Sequence, residues 1–301
     1  MNEAKIIVGN AVDVLRTLEP GSARTCITSP PYWGLRDYGQ EAQLGLEDSP
    51  EAFIENLCLV FDEVWRVLAD DGTCWVNLGD SYGKVAQGDV KVKDLVGIPW
   101  MFAFAMRARG WYLRQDIIWS KPNPMPESVK DRCTKSHEYI FLFSKQPRYY
   151  YDHEAIKEDI SEKNKSHYKK YASLPSKSES KTNQVRDDGG FDATHCGFST
   201  SGIEKRNKRS VWNVSTQPYA GAHFAVYPPK LILPCVLAGS APGDTVLDPF
   251  SGSGTTGEVA LLNDRNYVGV ELNPEYAALS EKRITDATGM FVTVTVCNEN
   301  R

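Results

Sequence analysis

The chain has 301 residues and a mass of 33.6 kDa, which allows one large domain or two modest ones, each with a buried core. Its seven cysteines contain no CxxC pair, so they fit neither a disulfide framework nor a zinc cage and indicate reduced thiols in a cytoplasmic protein. The start carries no secretion signal, and no stretch approaches the roughly 18 apolar residues of a membrane helix, so we expect no membrane association.

The first 150 residues alternate between strand-like and helix-like segments. The pattern of apolar residues predicts strands at 5–8, 23–28, 72–78, 112–119 and 138–143, with helices at 49–68 and 98–109. The alternation stops at about residue 152 and resumes after 210, where we predict helices at 229–237, 255–263 and 275–288 and strands at 245–247 and 266–270. This order is typical of an α/β fold with a largely parallel sheet.

The segment between the two alternating parts differs in composition. Ser, Lys, Asn, Asp and Gly dominate it, and residues 157–209 hold 12 Lys and Arg against 8 Asp and Glu, although the whole chain has a net charge of −5. We therefore predict one α/β domain built from residues 1–151 and 211–301, with an inserted region at 152–210 that contacts nucleic acid. Candidate contacts to phosphates or bases are Lys205, Arg206, Lys208 and Arg209. The alternative is a solvated polar insertion.

A glycine-rich turn, DPFSGSGTT, follows the predicted strand 245–247 and precedes a predicted helix. Glycines at such a turn allow a ligand to approach the backbone closely. The next strand ends in Glu271, which lies 23 residues beyond Asp248 and can accept both hydroxyls of an adenosine ribose. The candidate nucleoside-binding residues of this region are Asp248, Pro249, Phe250, Gly252, Gly254, Thr255, Glu271 and Asn273. Because no Gly-Lys-Ser/Thr ends the turn, phosphoryl transfer is disfavoured.

A proline-rich turn, TSPPYW, follows the strand 23–28. Pro30 and Pro31 fix its backbone, and Ser29 can accept a hydrogen bond. Such a turn suits attack by an aromatic amine, whose lone pair is delocalised: acceptors at Ser29 and the Pro30 carbonyl would hold the amino hydrogens, and Tyr32, with Trp33, would stack on a base rotated out of the duplex. The alternative is a rigid turn that only caps a strand.

With both turns in place, the chain resembles the amino-group DNA methyltransferases, in the permuted class whose catalytic turn precedes the cofactor glycines. TSPPYW is similar to the cytosine-N4 version of the family's catalytic motif, and DPFSGSGTT with YVGVELNPEY is similar to its S-adenosylmethionine motifs. The segments HFAVYPPKL and DIIWSKPNPMPES also match, so the resemblance covers nearly the whole chain except about 152–210, the position of the family's target-recognition region.

The resemblance implies a Rossmann-like methyltransferase fold, S-adenosylmethionine as cofactor, no metal, and methyl transfer to a flipped base by direct displacement. It implies catalytic roles for Ser29, Pro30, Pro31 and Tyr32, and a place for Lys121 in the base pocket. His223 would line the methionine end of the cofactor, and Asn10, where the family typically has Asp, would hold its adenine. Double-stranded DNA is the implied substrate, a restriction endonuclease is a possible partner, and the protein is a monomer or a homodimer.

Several alternatives remain open at this point. An adenine-N6 enzyme shares the architecture and differs at the position of Ser29, where it usually carries Asp. A carbon-5 cytosine enzyme needs a Cys nucleophile, for which Pro234-Cys235 is the candidate, although core packing is the simpler interpretation of that apolar run. A DNA-binding regulator without catalysis, or methylation of RNA or protein, fits less well with two intact turns and a long insertion.

Overall fold

The computed structural model describes residues 2–35, 37, 39–40, 43–86, 88–160, 205–217, 226–289 and 292–298. The chain divides into two compact units, one formed by Met1–Ala155 with Arg209–Arg301 and the other by Ile156–Lys208. In the described part of the chain no helix is both long and apolar enough to cross a bilayer.

The first unit is a mixed sheet flanked by helices. Its strands are β1 (Glu3–Val8), β2 (Ala23–Thr28), β3 (Leu68–Leu78), β4 (Tyr112–Ser120), β5 (His137–Ser144), β8 (Val211–Asn213), β9 (Thr245–Asp248), β10 (Asn266–Glu271) and β11 (Thr293–Asn298). Its helices are α1 (Ala11–Thr17), α2 (Pro50–Val67), α3 (Ile98–Ala108), α4 (Pro229–Gly239), α5 (Thr255–Leu261) and α6 (Pro274–Thr288).

Nine of the described strands form one sheet in the order β11-β1-β10-β9-β2-β3-β5-β4-β8. All neighbours pair in parallel except β5, which runs antiparallel to both β3 and β4. The predicted mixed, mostly parallel α/β fold is therefore confirmed.

Helix α2 illustrates how the sequence specifies these elements. Its apolar residues recur at helical spacing, and Phe53, Leu57, Phe61 and Val64 are fully buried against the sheet. Ser49 caps the helix, since its hydroxyl accepts from the Ala52 amide at 3.1 Å. The helix thus begins and ends within one residue of the predicted 49–68.

The parallel strands place the functional turns at one edge of the sheet. The adjacent strands β10, β9, β2 and β3 all run in the same direction, so their carboxyl ends lie side by side. In open α/β sheets, ligands bind at this edge. The turns after β2 and β9, which carry the two sequence motifs, are therefore neighbours in space although they lie far apart in the chain.

Strands β8 and β11 lie outside the predicted elements. Strand β8 has 3 residues, too few to show a periodic pattern. Strand β11 alternates Thr and Val, which is a strand pattern, and it pairs with β1 at the edge of the sheet.

The second unit, Ile156–Lys208, is described at residues 156–160 and 205–208. Strands β6 (Glu158–Asp159) and β7 (Lys205–Arg206) pair in antiparallel fashion there. Glu158 forms ion pairs with Arg206 at 3.5 Å and with Lys208 at 3.3 Å. Two of the predicted DNA-contacting cations are therefore already engaged by a carboxylate. The predicted role of 152–210 in target recognition stays a prediction.

Candidate active site

The proline-rich and glycine-rich turns share one cavity and are joined by a hydrogen bond. The Thr28 hydroxyl, just before Ser29, donates to Asp248 Oδ1 at 2.6 Å across 220 positions of sequence. A cavity of about 1060 Å³ opens between the turns, and its wall includes the predicted residues Asn10, Ser29, Pro30, Pro31, Tyr32, Lys121, Pro249, Phe250, Gly252, Thr255, Glu271 and Asn273. The volume suits a cofactor together with a second reactant.

Asp248 lies beneath the cavity rather than on its wall. Its side chain is buried, and its oxygens accept from the hydroxyls of Thr28 and Thr256, both at 2.6 Å, and from the Phe250 amide at 3.0 Å. The Tyr227 hydroxyl also donates to it, at 3.4 Å. Burial raises the pKa of Asp248, and these donors oppose the rise. Asp248 therefore holds the two turns together and lies outside the cavity wall, although the sequence predicts it as a cofactor-binding residue.

Glu271 faces the cavity from the end of β10. One carboxylate oxygen accepts from the Gly252 amide at 2.8 Å and the other from the Asn273 amide at 2.9 Å. Burial raises the pKa of Glu271 to about 6, against the two backbone donors, which lower it. The carboxylate is thus held rigidly, with lone pairs left to accept hydroxyl groups of a ligand.

Two asparagines on the cavity wall cap helices. The Asn10 side-chain oxygen accepts from the Val12 amide at the start of α1, and the Asn273 oxygen accepts from the Glu275 amide at the start of α6, both at 2.9 Å. A carbonyl oxygen has a second lone pair, so capping leaves Asn10 able to accept from a ligand amino group. Its assignment to the adenine of the cofactor stays a prediction.

The catalytic turn meets a polar network on β3 and β5. The Ser29 hydroxyl donates to Asn77 Oδ1 over a long 3.4 Å. The Tyr32 hydroxyl donates to Glu138 Oε2 at 2.8 Å, and its oxygen lies 3.4 Å from Asn77 Oδ1. The Asn77 amide group in turn donates to Glu138 at 3.2 Å, and Lys121 forms an ion pair with the same carboxylate. Four side chains of the cavity wall are therefore tied directly or indirectly to Glu138.

Tyr32 keeps its proton in this network. Burial, together with the charge of Glu138, raises the pKa of Tyr32 well above its ordinary value. The phenol consequently stays a neutral donor, and its ring is fixed by the hydrogen bond at its tip. A rigid aromatic ring beside Ser29 suits stacking on a planar substrate.

Several predicted residues lie away from the cavity wall. Trp33 lines a neighbouring cavity, which Tyr32 also lines, and its indole donates to the Glu47 carbonyl at 2.9 Å. Gly254 has φ +78° and packs so closely on Ser280 that a Cβ there would lie 2.9 Å from the Ser280 Cα. Neither residue lines the cavity of Ser29, so each contributes to the packing of its turn. His223 lies outside the described residues.

Cys235, the candidate nucleophile of a carbon-5 enzyme, is packed in the core. It lies inside α4 with 1% of its surface exposed, and the cavity wall does not include it. A covalent mechanism needs the thiol in contact with the base. The position of Cys235 therefore speaks against that alternative.

Asn77 and Glu138 were not among the site residues predicted from the sequence. Asn77 is a polar residue near the carboxyl end of the apolar strand β3, and this position was the available signal. Glu138 lies at the start of β5, where the antiparallel direction brings it beside Asn77. Only the pairing of the two strands shows that they form one network.

The donors and acceptors of the cavity fit S-adenosylmethionine. Glu271 supplies a fixed carboxylate for ribose hydroxyls, and Gly252, at φ +53°, lets the backbone of the turn approach a ligand. Phe250 and the apolar part of the wall suit an adenine ring. The described residues contain no group of three or more His, Cys, Asp or Glu side chains placed to hold a metal.

Comparisons with known proteins agree with this geometry. A DNA methylase family model, for N6 and N4 methylation, matches residues 23–282. The Type II methyltransferase M.Cfr9I of Citrobacter freundii is 46% identical over 94% of this chain and 88% of its own length. M.SmaI, a Type II methyltransferase of Serratia marcescens, is 44% identical over 94% of this chain and 91% of its own length.

Two solved structures share the fold. A chain from Thermus thermophilus, assigned as a DNA modification methylase and solved with S-adenosyl-L-methionine, is 27% identical, with a TM-score of 0.62 over 97% of this chain and 99% of its own. The cytosine-N4-specific PvuII DNA methyltransferase has a TM-score of 0.66 over 100% of this chain and 96% of its own, and at 20% identity it supports the fold alone. The present chain therefore belongs to the N6/N4 DNA methylase family and is an S-adenosylmethionine-dependent DNA methyltransferase.

Proposed function

We propose that this methyltransferase modifies the exocyclic N4 of cytosine in a short sequence of duplex DNA. The observation that carries the proposal is the position of Ser29, a neutral hydroxyl on the wall of the cavity that the glycine turn also lines. The resemblance of the TSPPYW segment to the cytosine-N4 form of the family's catalytic motif supports the choice of base. The fixed ring of Tyr32 beside it supports a flipped base as the substrate.

The chain's own groups orient the amine. Ser29 directs its proton toward Asn77, so its oxygen lone pairs remain free to accept one amino hydrogen of cytosine. The carbonyl of Pro30 is the proposed acceptor for the other hydrogen. Held in this way, the nitrogen turns its lone pair toward the cofactor side of the cavity.

The reaction balances without a covalent enzyme intermediate. S-adenosylmethionine supplies the methyl group and a neutral thioether as leaving group. The N4–carbon bond forms as the sulfur–carbon bond breaks, the electron pair of the broken bond stays on sulfur, and the nitrogen loses one proton to solvent. We propose that Lys121, fixed by Glu138 in the cavity wall, donates to the ring nitrogen or carbonyl of the base.

Mass spectrometry of nucleosides tests the base assignment. DNA from a methylation-free host that expresses the protein is hydrolysed and compared with DNA from the same host expressing a Ser29→Ala variant. We expect abundant N4-methylcytosine with the unaltered protein and much less with the Ser29→Ala variant. N6-methyladenine or 5-methylcytosine in its place overturns the assignment, and direct sequencing of the modified DNA reports the recognition sequence.

We also propose that the protein belongs to a restriction-modification pair. The support comes from relatives with 44% to 46% identity that are Type II methyltransferases. The partner would be an endonuclease that cuts the same unmodified sequence. Because DNA is the substrate, we place both proteins in the cytoplasm of a bacterial host.

We propose that residues 152–210 read the target sequence. The excess of Lys and Arg in this region supports phosphate contacts. We expect that replacing Lys205, Arg206, Lys208 and Arg209 with Gln weakens DNA binding. The slope of log Kd against log salt concentration should also fall, by up to about 0.9 for each phosphate that is no longer neutralised. Because Arg206 and Lys208 already contact Glu158, the decrease should be smaller than four neutralised phosphates would give.

Fluorescence anisotropy over a range of salt concentrations measures this effect. Lys282→Gln, an exposed change on α6, is the matched control and should leave affinity and slope unchanged. Equal affinity of the fourfold variant and the unaltered protein at every salt concentration contradicts the proposed role.

Glu271 predicts a pH dependence of cofactor binding. Its pKa of about 6 means that the carboxylate is protonated below this value and loses acceptor strength for the ribose. We expect the Kd of S-adenosylmethionine to rise about tenfold between about pH 7.5 and about pH 5. Calorimetric titration measures it, and Glu271→Gln, which binds weakly throughout, should abolish the trend.

The same carboxyl affects stability with the opposite sign. Its pKa is raised on folding from 4.5 to about 6, so its contribution favours the folded protein below 4.5 and is lost as pH rises through about 6. Without cofactor, the unfolding free energy of the unaltered protein relative to Glu271→Gln should therefore fall across this range.

For cofactor binding, a Kd that depends equally on pH in the unaltered protein and in Glu271→Gln contradicts the role of Glu271.

A further inference from the structure

Residues 121–136 form a long loop beside the cavity. They connect the antiparallel neighbours β4 and β5, a connection that usually needs about 2 to 5 residues. The Lys121 amide closes the base of the loop by donating to the Ser136 carbonyl at 2.8 Å. Long ordered loops on a rigid sheet commonly carry function.

Hydrogen bonds hold the first half of this loop at two residues, Asn123 and Glu127. Asn123 and Thr216 exchange three hydrogen bonds of 2.9 to 3.3 Å. Further along, Glu127 accepts from the Arg132 side chain at 2.7 Å and from the Lys135 amide at 3.3 Å. Pro124 and Pro126 restrict the backbone between these two tied points.

Met125 stands between the two prolines and projects into solvent. Its exposed fraction is 85%, and the next most exposed large apolar residue in the described part of the chain, Val85, reaches 66%. Single exposed apolar residues are common on protein surfaces. Met125 combines this exposure with a proline on either side, with hydrogen-bonded residues at 123 and 127, and with a place on the wall of the cavity that Ser29 and Tyr32 also line.

The chemistry of the reaction suggests what covers this side chain. A base rotated out of a duplex leaves a gap in the stack, and an apolar side chain inserted there offsets part of the lost stacking. The loop also carries Lys130, whose charge favours a polyanion at this loop, whereas Arg132 is paired with Glu127 and Lys135 donates to the Asp80 carbonyl. Methionine is unbranched and adaptable, so it can fill a gap of irregular shape between stacked bases.

We propose that Met125 inserts into the DNA duplex beside the target nucleotide and fills the space that the flipped base vacates. The inference rests on the proposed function, because it assumes a flipped base in the cavity. It assigns to the loop a contact inside the base stack, separate from the cofactor contacts and from the acceptors at Ser29 and Pro30. The partner surface is duplex DNA at the target step.

The test compares two unmodified duplexes that contain the sequence recognised by the enzyme. In one the target cytosine is paired with guanine, and in the other it faces an abasic position, so that little pairing energy opposes flipping. We expect Met125→Ala to lower kcat/KM about 10- to 100-fold on the paired duplex and less than about threefold on the abasic duplex. Met125→Leu, which keeps an apolar side chain of similar size, should stay close to the unaltered protein on both.

The controls separate this inference from the proposed function. Leu262→Ala removes another exposed apolar side chain, at the end of α5, and should change neither rate. An equal loss by Met125→Ala on both duplexes, or no loss on the paired duplex, overturns the insertion. If the unaltered protein modifies no cytosine in either duplex, the proposed base assignment fails instead. Fluorescence of pyrrolocytosine at the target position gives a second readout, which should drop in Met125→Ala on the paired duplex.

Discussion

Replacing Ser29 with Ala is expected to lower kcat by about 10²- to 10³-fold, as happens when one preorganised hydrogen bond to a reacting group is removed. The hydroxyl accepts an amino hydrogen only when the base is in the cavity, so the loss falls on the chemical step. The Kd of S-adenosylmethionine should stay within about twofold, because Glu271 and Gly252 remain in place on the other side of the cavity. Single-turnover methylation and calorimetry measure the two quantities.

The matched control for Ser29 is Ser22→Ala. Ser22 lies exposed in the turn before β2, outside the cavity wall, and its replacement should leave both quantities unchanged. Full single-turnover activity in Ser29→Ala would falsify the proposed catalytic role. A loss of cofactor binding equal to the loss of rate would instead assign Ser29 to the cofactor side.

The sequence predicted the elements that carry the two turns well, because each turn follows a short apolar strand with strong local signals. Strand β2 has the predicted bounds, 23–28, and β9 extends one residue beyond the predicted 245–247. Prolines and glycines restrict or free the backbone locally, so their effect can be seen in a single segment. The family resemblance depends on these segments and is confirmed.

Contacts between distant segments could not be predicted in the same way. The position of Asp248 beside the glycine-rich turn predicts contact with the cofactor, but its oxygens accept from the Thr28 and Thr256 hydroxyls. Trp33 follows Tyr32 directly, yet only Tyr32 lines the cavity that Ser29 lines, and the Trp33 indole donates to the Glu47 carbonyl instead. Glu138 becomes part of the site only because β5 runs antiparallel to β3. In each case the direction of a side chain depends on packing that no local pattern encodes.

Replacing Asp248 with Ala should affect both stability and activity, because this carboxylate joins the two halves of the site. The change leaves buried donors at Thr28, Thr256 and the Phe250 amide without their acceptor. We expect the free energy of unfolding to fall by about 2 to 4 kcal/mol, the cost of several unsatisfied buried polar groups after partial rearrangement. We also expect kcat/KM to fall about 10²-fold in the protein that remains folded, since a displacement of about 1 Å between the turns separates the reactants.

Asp248→Asn and Thr28→Val distinguish joining of the turns from stability alone. Asn keeps one carbonyl acceptor, and its amide can donate to the Thr256 hydroxyl, so the free energy of unfolding should recover in part. Thr28→Val removes only the 2.6 Å bond between the turns and leaves the other partners of Asp248 in place. If Asp248 acts by joining the turns, Thr28→Val lowers kcat/KM by a larger factor than its effect on unfolding requires, whereas Asp286→Ala, an exposed change on α6, alters neither. A Thr28→Val protein with full activity contradicts this role, because the catalytic turn would then hold its position without the bond to Asp248.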